Sequence, residues 1–255
     1  MRVALLLSGI VGNMYTRKAT YEWEGHVDFR ISHHFFKKHI IDANDQVDVF
    51  MHCWDTHFEE ELVELYKPKK SKFEKQIIFD ENHIRRHYIE SRWYSAKQVT
   101  KLKREYEKEN GFKYDVVMSS RFDIGFFKDL IFKDIIEYPN AMYIPTSNPP
   151  NPQEPTILDY WYFSSSESMD VINSLYDNWR KMGCRTPHRD LYTWPTKNDI
   201  DIYMIEGFEE SEKGNGSTEV IRLYFENCEY KPEFVGIDNL KRVKRYPRGT
   251  GRLAT

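Results

Sequence analysis

Cysteine is scarce in this chain, and its spacing excludes two kinds of cross-linked fold. Only Cys53, Cys184 and Cys228 occur among the 255 residues, an odd number without a Cys-x-x-Cys pair. A disulfide framework or a structural zinc site is therefore not expected, and this usage fits a reducing compartment.

Long apolar runs are also absent. The apolar segment at residues 3–11 is much shorter than the roughly 20 residues that a membrane-spanning helix requires. Polar residues follow it without a processing site. The sequence thus predicts a soluble, unexported protein of the cytoplasm.

No strong excess of charge of either sign is present. The formal net charge of −3 gives no argument for binding nucleic acid. Residues 241–252 do carry six cations, which a solvated terminus explains most simply. Peripheral contact with an anionic membrane surface is the alternative for this tail.

The familiar signatures of two nucleotide-binding classes are missing. No Gly-x-Gly-x-x-Gly follows the first predicted strand, and no Gly-x-x-x-x-Gly-Lys-Ser/Thr occurs anywhere. This argues against a dinucleotide oxidoreductase and a P-loop NTPase. No Ser-His-Asp or Cys-His pattern of a hydrolase is visible either.

What the chain does show is an alternation of apolar runs and amphipathic segments. The run at residues 2–7 lacks polar alternation, as in a strand buried on both faces. Further strands are predicted at 47–53, 73–79 and 114–119, with helices at 26–41, 59–66 and 91–110. Residues 8–13 are expected to form a loop. This order predicts an α/β fold with an open, mostly parallel sheet flanked by helices.

The second half alternates less regularly. Its predicted strands lie at 141–145, 159–164 and 218–224, and its predicted helices at 167–181 and 199–207. Irregular loops are expected at 147–155, which holds four prolines, and at 209–217. We expect one domain, with a nucleotide-binding half (1–125), a smaller α+β acceptor-side half (126–230) and a basic tail (231–255).

Polar residues follow three of the predicted strands. Ligands of an open parallel sheet bind at the carboxyl ends of its strands. Ser8 and Gly9 end the first strand, and Gly9 would let the backbone approach a nucleotide closely. An ordinary turn explains the same two residues equally well.

The segment Ser120-Arg121-Phe122-Asp123 ends the fourth strand and is the most informative one. A carboxylate there suits Mg²⁺ or Mn²⁺ bridging a diphosphate, and Arg121 suits direct contact with phosphate. The alternative is an Arg121–Asp123 ion pair that closes the strand, and spacing alone favours it.

Several stretches resemble a glycosyltransferase family of bacterial polysaccharide clusters, large viruses and phages. They are LLLSGIVGN, DVFMHCWDT, LYKPKK, SRWYSAKQVTKLKREYEKENGFKYDVVMSSRFDIGF and DYWYFSSSESMD. The resemblance covers most of the chain up to about residue 179 and implies a GT-A fold with a Rossmann-like half.

By this resemblance the Arg-Phe-Asp element stands where GT-A enzymes carry Asp-x-Asp. Asp123 matches the second acid, which binds Mn²⁺ or Mg²⁺, whereas Arg121 replaces the first. This departure implies that the ion is held weakly or that Arg121 does part of its work.

Two acids are candidates for the catalytic base. Asp159 opens a strand of aromatic residues that would stack on sugar rings, although a strand cap explains it equally well. Asp199 is placed at the start of a predicted helix, where acids more commonly complement the helix dipole.

The remaining candidates would surround the donor. Its phosphates and base would lie over Leu7, Ser8, Gly9, Trp54, Asp55, Arg121 and Asp123, with Tyr94 and Lys97 facing it from the long helix. For Tyr94 the alternative is a place in the core, and for Lys97 a solvated helix face.

The sequence as a whole predicts a glycosyltransferase that moves a sugar from a nucleoside-diphosphate sugar to an acceptor hydroxyl, on a glycan. A nucleotidyltransferase is the rival enzyme, although it requires a second metal-binding acid. The non-enzymatic rival is a catalytically silent module that binds glycans or nucleotide sugars, which Arg121 in place of an acid keeps open.

Overall fold

The computed structural model describes residues 1–18, 21–80, 83–146, 157–183, 186–209, 218–220 and 223–225. The elements of the first half are β1 (Arg2–Gly9), β2 (Gly12–Lys18), β3 (Tyr21–Val27), α1 (Phe29–Phe36), β4 (Gln46–Cys53), α2 (Glu59–Tyr66), β5 (Lys70–Phe73), α3 (Ile84–Asn110) and β6 (Val116–Ser120). A π-helical turn, Lys37–Ile41, extends α1.

The second half contributes shorter elements. They are β7 (Ile124–Phe126), α4 (Phe132–Ile135), β8 (Met142–Thr146), β9 (Trp161–Ser164), α5 (Ser166–Ile172), α6 (Leu175–Asn178), α7 (Pro187–Lys197), β10 (Ile202–Glu209), β11 (Thr218–Val220) and β12 (Leu223–Phe225). The loop expected at 147–155, most of that at 209–217 and the basic tail lie outside the described residues.

Seven strands form the main sheet, in the order β10-β8-β9-β6-β1-β4-β5. Neighbours are parallel except at β9, which runs antiparallel to β6 and β8. The α/β fold with a mostly parallel sheet is thus confirmed. The sheet contains strands from both halves of the chain, so backbone hydrogen bonds between strands join residues 1–125 to residues 126–230.

Both faces of the central strand are covered, as its unbroken apolar sequence predicts. Leu5 and Leu7 join the core on one face, whereas Ala4 and Leu6 join the core on the other, and all four are fully buried. Alternate side chains of a strand point to opposite faces, so two layers of helices and loops are needed to bury them.

The long helix α3 covers one of these faces. Trp93, Ala96 and Val99, three residues apart, are fully buried against the sheet. The helix ends at Gly111, whose left-handed φ of 68° suits glycine at this position. Among the described helices, none is long and apolar enough to cross a membrane.

Three predicted elements of the first half differ from the observed ones. Residues 8–13 are not a loop, because β1 continues to Gly9 and β2 begins at Gly12 and pairs with β3. The strand expected at 73–79 is instead Lys70–Phe73, which pairs with the carboxyl half of β4. Helix α3 begins at Ile84, seven residues before the predicted start.

The helix predicted at 199–207 is wrong. These residues enter β10, which pairs in parallel with β8, while the helix lies earlier, at Pro187–Lys197. Thr186 caps that helix by accepting from the Arg189 amide at 3.2 Å. Asp199 sits in the following turn with a left-handed φ of 56°. Pairing with β8 outweighs the helix-start pattern of the acids.

The helix predicted at 167–181 is likewise broken into α5, α6 and a 3₁₀ turn.

A buried charge network fastens the C-terminal part of α3 to α5. The Lys103 amine, fully buried, contacts Glu107 at 3.2 Å, Asp170 at 2.8 Å and the Ser166 hydroxyl. Glu107 also accepts from the Ser166 hydroxyl and the Tyr114 amide. Such a network is stable only while every charge has its partner.

Lys103→Met is therefore expected to lower the free energy of unfolding by about 3 kcal/mol, because Glu107 and Asp170 lose the buried cation they share and keep only the more exposed Lys113 and Arg104. Urea unfolding measures this loss. The matched control is Lys101→Met on the same helix, where an exposed pair with Glu105 should cost under about 1 kcal/mol. Equal losses in the two variants would contradict the role given to the network.

Candidate functional site

The order of the strands places a crevice at the carboxyl ends of β1 and β6. From β1 the chain adds β4 and then β5 on one side, and returns to add β6 on the other side. The connections that follow β1 and β6 therefore diverge, which is where open α/β sheets bind their ligands. Ser8, Gly9, Arg121 and Asp123 all lie at this edge, as the sequence predicts.

Gly9 gives this edge an open stretch of backbone. Its φ of 134° is one that residues with a side chain rarely adopt, and no atom lies within 4 Å of where a Cβ would stand. The Gly9 carbonyl accepts from the Trp54 amide at 3.0 Å, which ties the ends of β1 and β4 together. Leu7, one step before Ser8, is fully buried in the sheet.

Arg92 enters the crevice from α3. Its Nη1 donates to the Ser8 hydroxyl at 3.2 Å, its Nε to the Asp159 carboxylate at 3.2 Å, and its Nη2 to the Asp159 carbonyl at 3.2 Å. Only 11% of the Arg92 side chain is exposed. This residue therefore joins a strand of the first half to a residue of the second half.

Asp159 reaches the same crevice because β9 is reversed. The residues just before an antiparallel strand lie at the edge where its parallel neighbours end. Burial would raise the pKa of the Asp159 carboxyl, but a hydrogen bond with His188 and the charges of Arg92 and Arg121 outweigh it and hold the pKa well below its usual range. Asp159 is consequently a fixed anion.

His188, in the first turn of α7, completes this arrangement. Its Nδ1 accepts from the Asp159 amide at 3.3 Å and lies 3.2 Å from Asp159 Oδ1. Its backbone carbonyl accepts from the Ile157 amide at 3.1 Å, so a backbone hydrogen bond joins the segment before β9 to α7. The His188 side chain is 39% exposed, in contrast to 8% for Asp159.

Arg121 and Asp123 form a forked ion pair. Arg121 Nε donates to Asp123 Oδ1 at 2.8 Å, and Nη2 donates to Oδ2. The guanidinium also lies over the Tyr160 ring, 4.8 Å from its centroid. Burial would lower the pKa of Arg121, but Asp123 and then Asp159 raise it above its ordinary value. The pair that spacing alone favours is thus present, within reach of Asp159.

The residues of this crevice do not fit a preformed metal site. Both oxygens of the Asp123 carboxylate accept from Arg121, and Asp159 is held by Arg92 and His188. Across the described ranges, no group of three His, Cys, Asp or Glu side chains is arranged to hold an ion. We therefore derive no chemical step through Mn²⁺ or Mg²⁺.

Aromatic side chains form a wall beside the crevice, beyond the end of β4. The Trp54 and Tyr94 rings stack with centroids 5.2 Å apart at an interplanar angle of 21°. Trp54 is 5% exposed, so Tyr94 covers one face of its ring. Asp55 follows, and its carboxylate accepts from the His57 amide at 2.7 Å.

His52 supports this wall from inside. Its Nε2 lies 2.8 Å from Glu74 and its Nδ1 2.6 Å from the Ser95 hydroxyl. Burial lowers the pKa of His52 to about 4, although Glu74 acts to raise it. The neutral ring thus donates to Glu74 and accepts from Ser95, which holds α3 against β4.

Two predicted site residues lie elsewhere. The Lys97 amine pairs with Asp177 at 2.7 Å, on the side of α3 that faces α6. Asp199 is exposed and precedes β10, which runs parallel to β1. It therefore lies at the amino edge of the sheet, opposite the crevice, and the structure does not bring it to the other candidates.

Two residues of the crevice, Arg92 and His188, were not predicted. Arg92 stands three and four residues before Ser95 and Ala96 and therefore shares their side of α3, which faces the sheet. A charged residue on that side is the signal that could have identified it. His188 belongs to a helix that the sequence did not reveal, and no local pattern marks it.

Two hollows on the described part of the surface lie away from this cluster. One of about 800 Å³ borders the C-terminal end of α3 around Phe112, and one of about 270 Å³ borders the first residues of β4. Both face the amino edge of the sheet. We place the candidate site by the convergence of charged side chains at the switch point rather than by volume.

Comparison with known proteins does not identify a family for this chain. No family model matches it, and no curated protein matches it significantly.

The low pKa of His52 predicts a pH dependence of stability. The unfolded chain protonates His52 near pH 6.5, whereas the folded chain resists until about pH 4. The stability that this group contributes is therefore complete above about pH 6.5 and is lost as the pH falls, by about 1.4 kcal/mol per unit and about 3 kcal/mol in all.

Urea unfolding at pH 7 and pH 5 tests this, with His52→Gln as the comparison. Wild type should lose roughly 2 kcal/mol more than the variant between the two pH values. The pH difference is compared rather than the absolute stability, since the substitution itself disturbs Ser95 and Glu74. An identical loss in both proteins would refute the buried, neutral state of His52.

Proposed function

We propose that this protein is a glycosyltransferase of the GT-A type, which transfers a sugar from a nucleoside-diphosphate sugar to an acceptor hydroxyl on a glycan. The observation that carries the proposal is the convergence of Arg92, Arg121, Asp123 and Asp159 beside Ser8 and Gly9, at the switch point of an open α/β sheet. The mixed sheet, with its reversed strand beside β6, is compatible with that fold.

The donor would lie across the ends of β1, β4 and β6. The open backbone at Gly9 suits close approach of the diphosphate, and a planar guanidinium such as that of Arg121 matches two phosphate oxygens at once. The Trp54–Tyr94 wall lies on the β4 side, where the base would contact ring edges rather than a free Trp54 face.

The charges of the crevice bear on whether the diphosphate of the donor needs a divalent cation. Arg92 and Arg121 are matched by Asp123 and Asp159, so the four groups together carry no net charge. A diphosphate adds negative charge, which requires either that Arg121 exchange Asp123 for phosphate or that Mn²⁺ or Mg²⁺ arrive with the donor. Because the described residues of the crevice offer no preformed metal site, we propose that a Mn²⁺ or Mg²⁺ cofactor arrives with the donor rather than being held by the protein alone, and the donor panel tests both routes.

A binding module without catalysis is the second candidate. The forked Arg121–Asp123 pair favours it, because an acid that is fully occupied by an arginine has no capacity left for an ion. Such a module would bind a nucleotide sugar or glycan in the same crevice without releasing product.

We expect one nucleoside diphosphate or its sugar to raise the melting temperature, and slow release of the nucleoside diphosphate to follow. A panel of donors, with and without Mn²⁺, gives both readouts. Asp123→Ala should lower the release roughly 10²-fold or more, because it removes a charge at the centre of the crevice.

Two further variants sharpen the test. Arg121→Lys keeps the charge but loses the fork, so a weakened shift without metal would assign the phosphate to Arg121. Glu105→Gln, on the exposed face of α3, is the control that should change nothing. Binding without release would favour the module, release of a nucleoside monophosphate or pyrophosphate a nucleotidyltransferase, and no response to any donor would refute the assignment of the site.

A further inference from the structure

The two connections that leave the switch point are joined by later strands of the chain. The β2–β3 hairpin follows β1, and β7 begins at Ile124, the residue after Asp123. β11 pairs with β7 and β12 pairs with β3, both in the antiparallel sense. Together, β11 and β12 therefore link the two sides of the crevice through backbone hydrogen bonds.

The register shows where this link crosses the rim of the crevice. β7 leads away from the crevice, because the chain that follows it is bonded to the turn before β4 at the amino edge. Its antiparallel partner β11 therefore runs towards the crevice, and Val220 stands opposite Ile124. Leu223 stands opposite His26, one residue from the base of the hairpin. Three residue steps span at most about 11 Å, which limits the gap between the two strands of the link.

The hairpin and β12 form a small sheet of their own, in the order β12-β3-β2. Among the described strands, no backbone pairing joins this sheet to the seven-stranded one. The chain enters it from β1 through residues 9–12 and leaves it into α1 after Val27. We call this small sheet the flap, and the pairing of β11 with β7 the clasp. The clasp fastens the flap to the body of the protein at a second place.

The connection between β1 and the flap has the backbone of a hinge. Gly9 and Gly12 stand at its two ends with φ of 134° and 69°, conformations that residues with a side chain rarely adopt. A Cβ on Gly12 would lie 2.6 Å from the Phe58 ring, so the base of the flap rests directly on the residues after β4. A few positions that absorb changes of φ and ψ are the usual hinge of an element that closes over a site.

A buried thiol lies beneath this hinge. Cys53, at the end of β4, is fully buried, and its sulfur accepts from the Asp55 amide at 3.4 Å. The backbone of Val11, between the two glycines, also hydrogen-bonds to this sulfur. Burial raises the pKa of the Cys53 thiol to about 12, although both backbone groups act to lower it. The thiol is therefore unreactive while the hinge is closed, and its reaction reports that the hinge has opened.

We propose that the flap closes the crevice on the side of β1, and that ligands enter and leave when the clasp opens. The clasp is only three residues long on each strand, so its opening costs far less free energy than unfolding of the seven-stranded sheet. Release of the nucleoside diphosphate then depends on the clasp. That last step rests on the proposed function, whereas the flap and the clasp do not.

The first experiment needs no ligand and uses Cys53 as the reporter. The protein carries Cys184→Ser and Cys228→Ser, so that only Cys53 is left to react with iodoacetamide. Backbone amides alternate in direction along a strand, so Glu219→Pro with Val220→Pro removes whichever of the two donates to β7. We expect Cys53 to react roughly tenfold faster in this proline variant, the factor that the loss of one or two backbone hydrogen bonds allows.

The matched control is Glu219→Ala with Val220→Ala, which changes the same side chains but keeps both amides. Its Cys53 should react at the wild-type rate. Amide exchange of Leu5 and Leu6, in the centre of β1, should be the same in all three proteins if the main sheet stays folded. An equal reaction rate in the proline and alanine variants would overturn the proposal, because the clasp would then not govern opening of the hinge.

A second measurement keeps β11 unaltered. Hydrogen exchange at high pH, where exchange completes at each opening, gives the opening rates of β7 and β11. We expect these strands to open faster than β1, and Cys53 to react at their opening rate when iodoacetamide is in excess. Reaction of Cys53 as slow as the exchange of β1 would overturn the proposal, because only global unfolding would then expose the thiol.

The donor that the panel identifies tests the step that rests on the proposed function. Its dissociation should be roughly tenfold faster in the proline variant than in the alanine variant, because an open clasp no longer retards release. If wild type binds no donor, the proposed function fails, while the reaction of Cys53 still decides whether the flap opens through the clasp. If a donor binds and dissociates equally fast from both variants, the proposed function stands and control of the crevice by the flap is refuted.

Discussion

The ion pair between Arg92 and Asp159 is the contact on which the candidate site depends. Taking both charges out of water is costly, and the pair is stable only because Ser8, His188 and the Asp159 carbonyl satisfy the remaining donors and acceptors. Without Arg92, Asp159 would be a buried anion with too few partners. The pair thus explains how a reversed strand is held to the parallel part of the sheet at the edge that carries the candidate site.

Helix α3 connects the candidate site to other elements of the fold. Near its start, Arg92 and Ser95 hold the ends of β1 and β4, and Trp93 holds α7. Towards its end, Lys103 fastens α5 through the buried network. Apolar packing between the two fastenings supplies the stability, and the polar contacts fix the register in which the helix lies on the sheet.

The sequence predicted the parallel sheet and the residues at its strand ends because both follow from local patterns. An unbroken apolar run placed β1 in the interior, and polar residues after such runs marked Ser8, Arg121 and Asp123. Arg92 and His188 were out of reach because their partner Asp159 lies 67 and 29 residues away along the chain. Asp199 was misplaced because its segment pairs with β8, and only tertiary contacts decide that.

Arg92 has a consequence for how ligands would communicate. The same guanidinium contacts Ser8 at the end of β1 and Asp159 before β9, so a ligand that alters its bonds to one of these residues changes the free energy of its bonds to the other. Thermodynamic linkage makes any such coupling reciprocal: a ligand bound beside Ser8 changes the affinity for a ligand beside Asp159 by the same factor as the reverse. Such coupling would run through one side chain and its three hydrogen bonds to two residues.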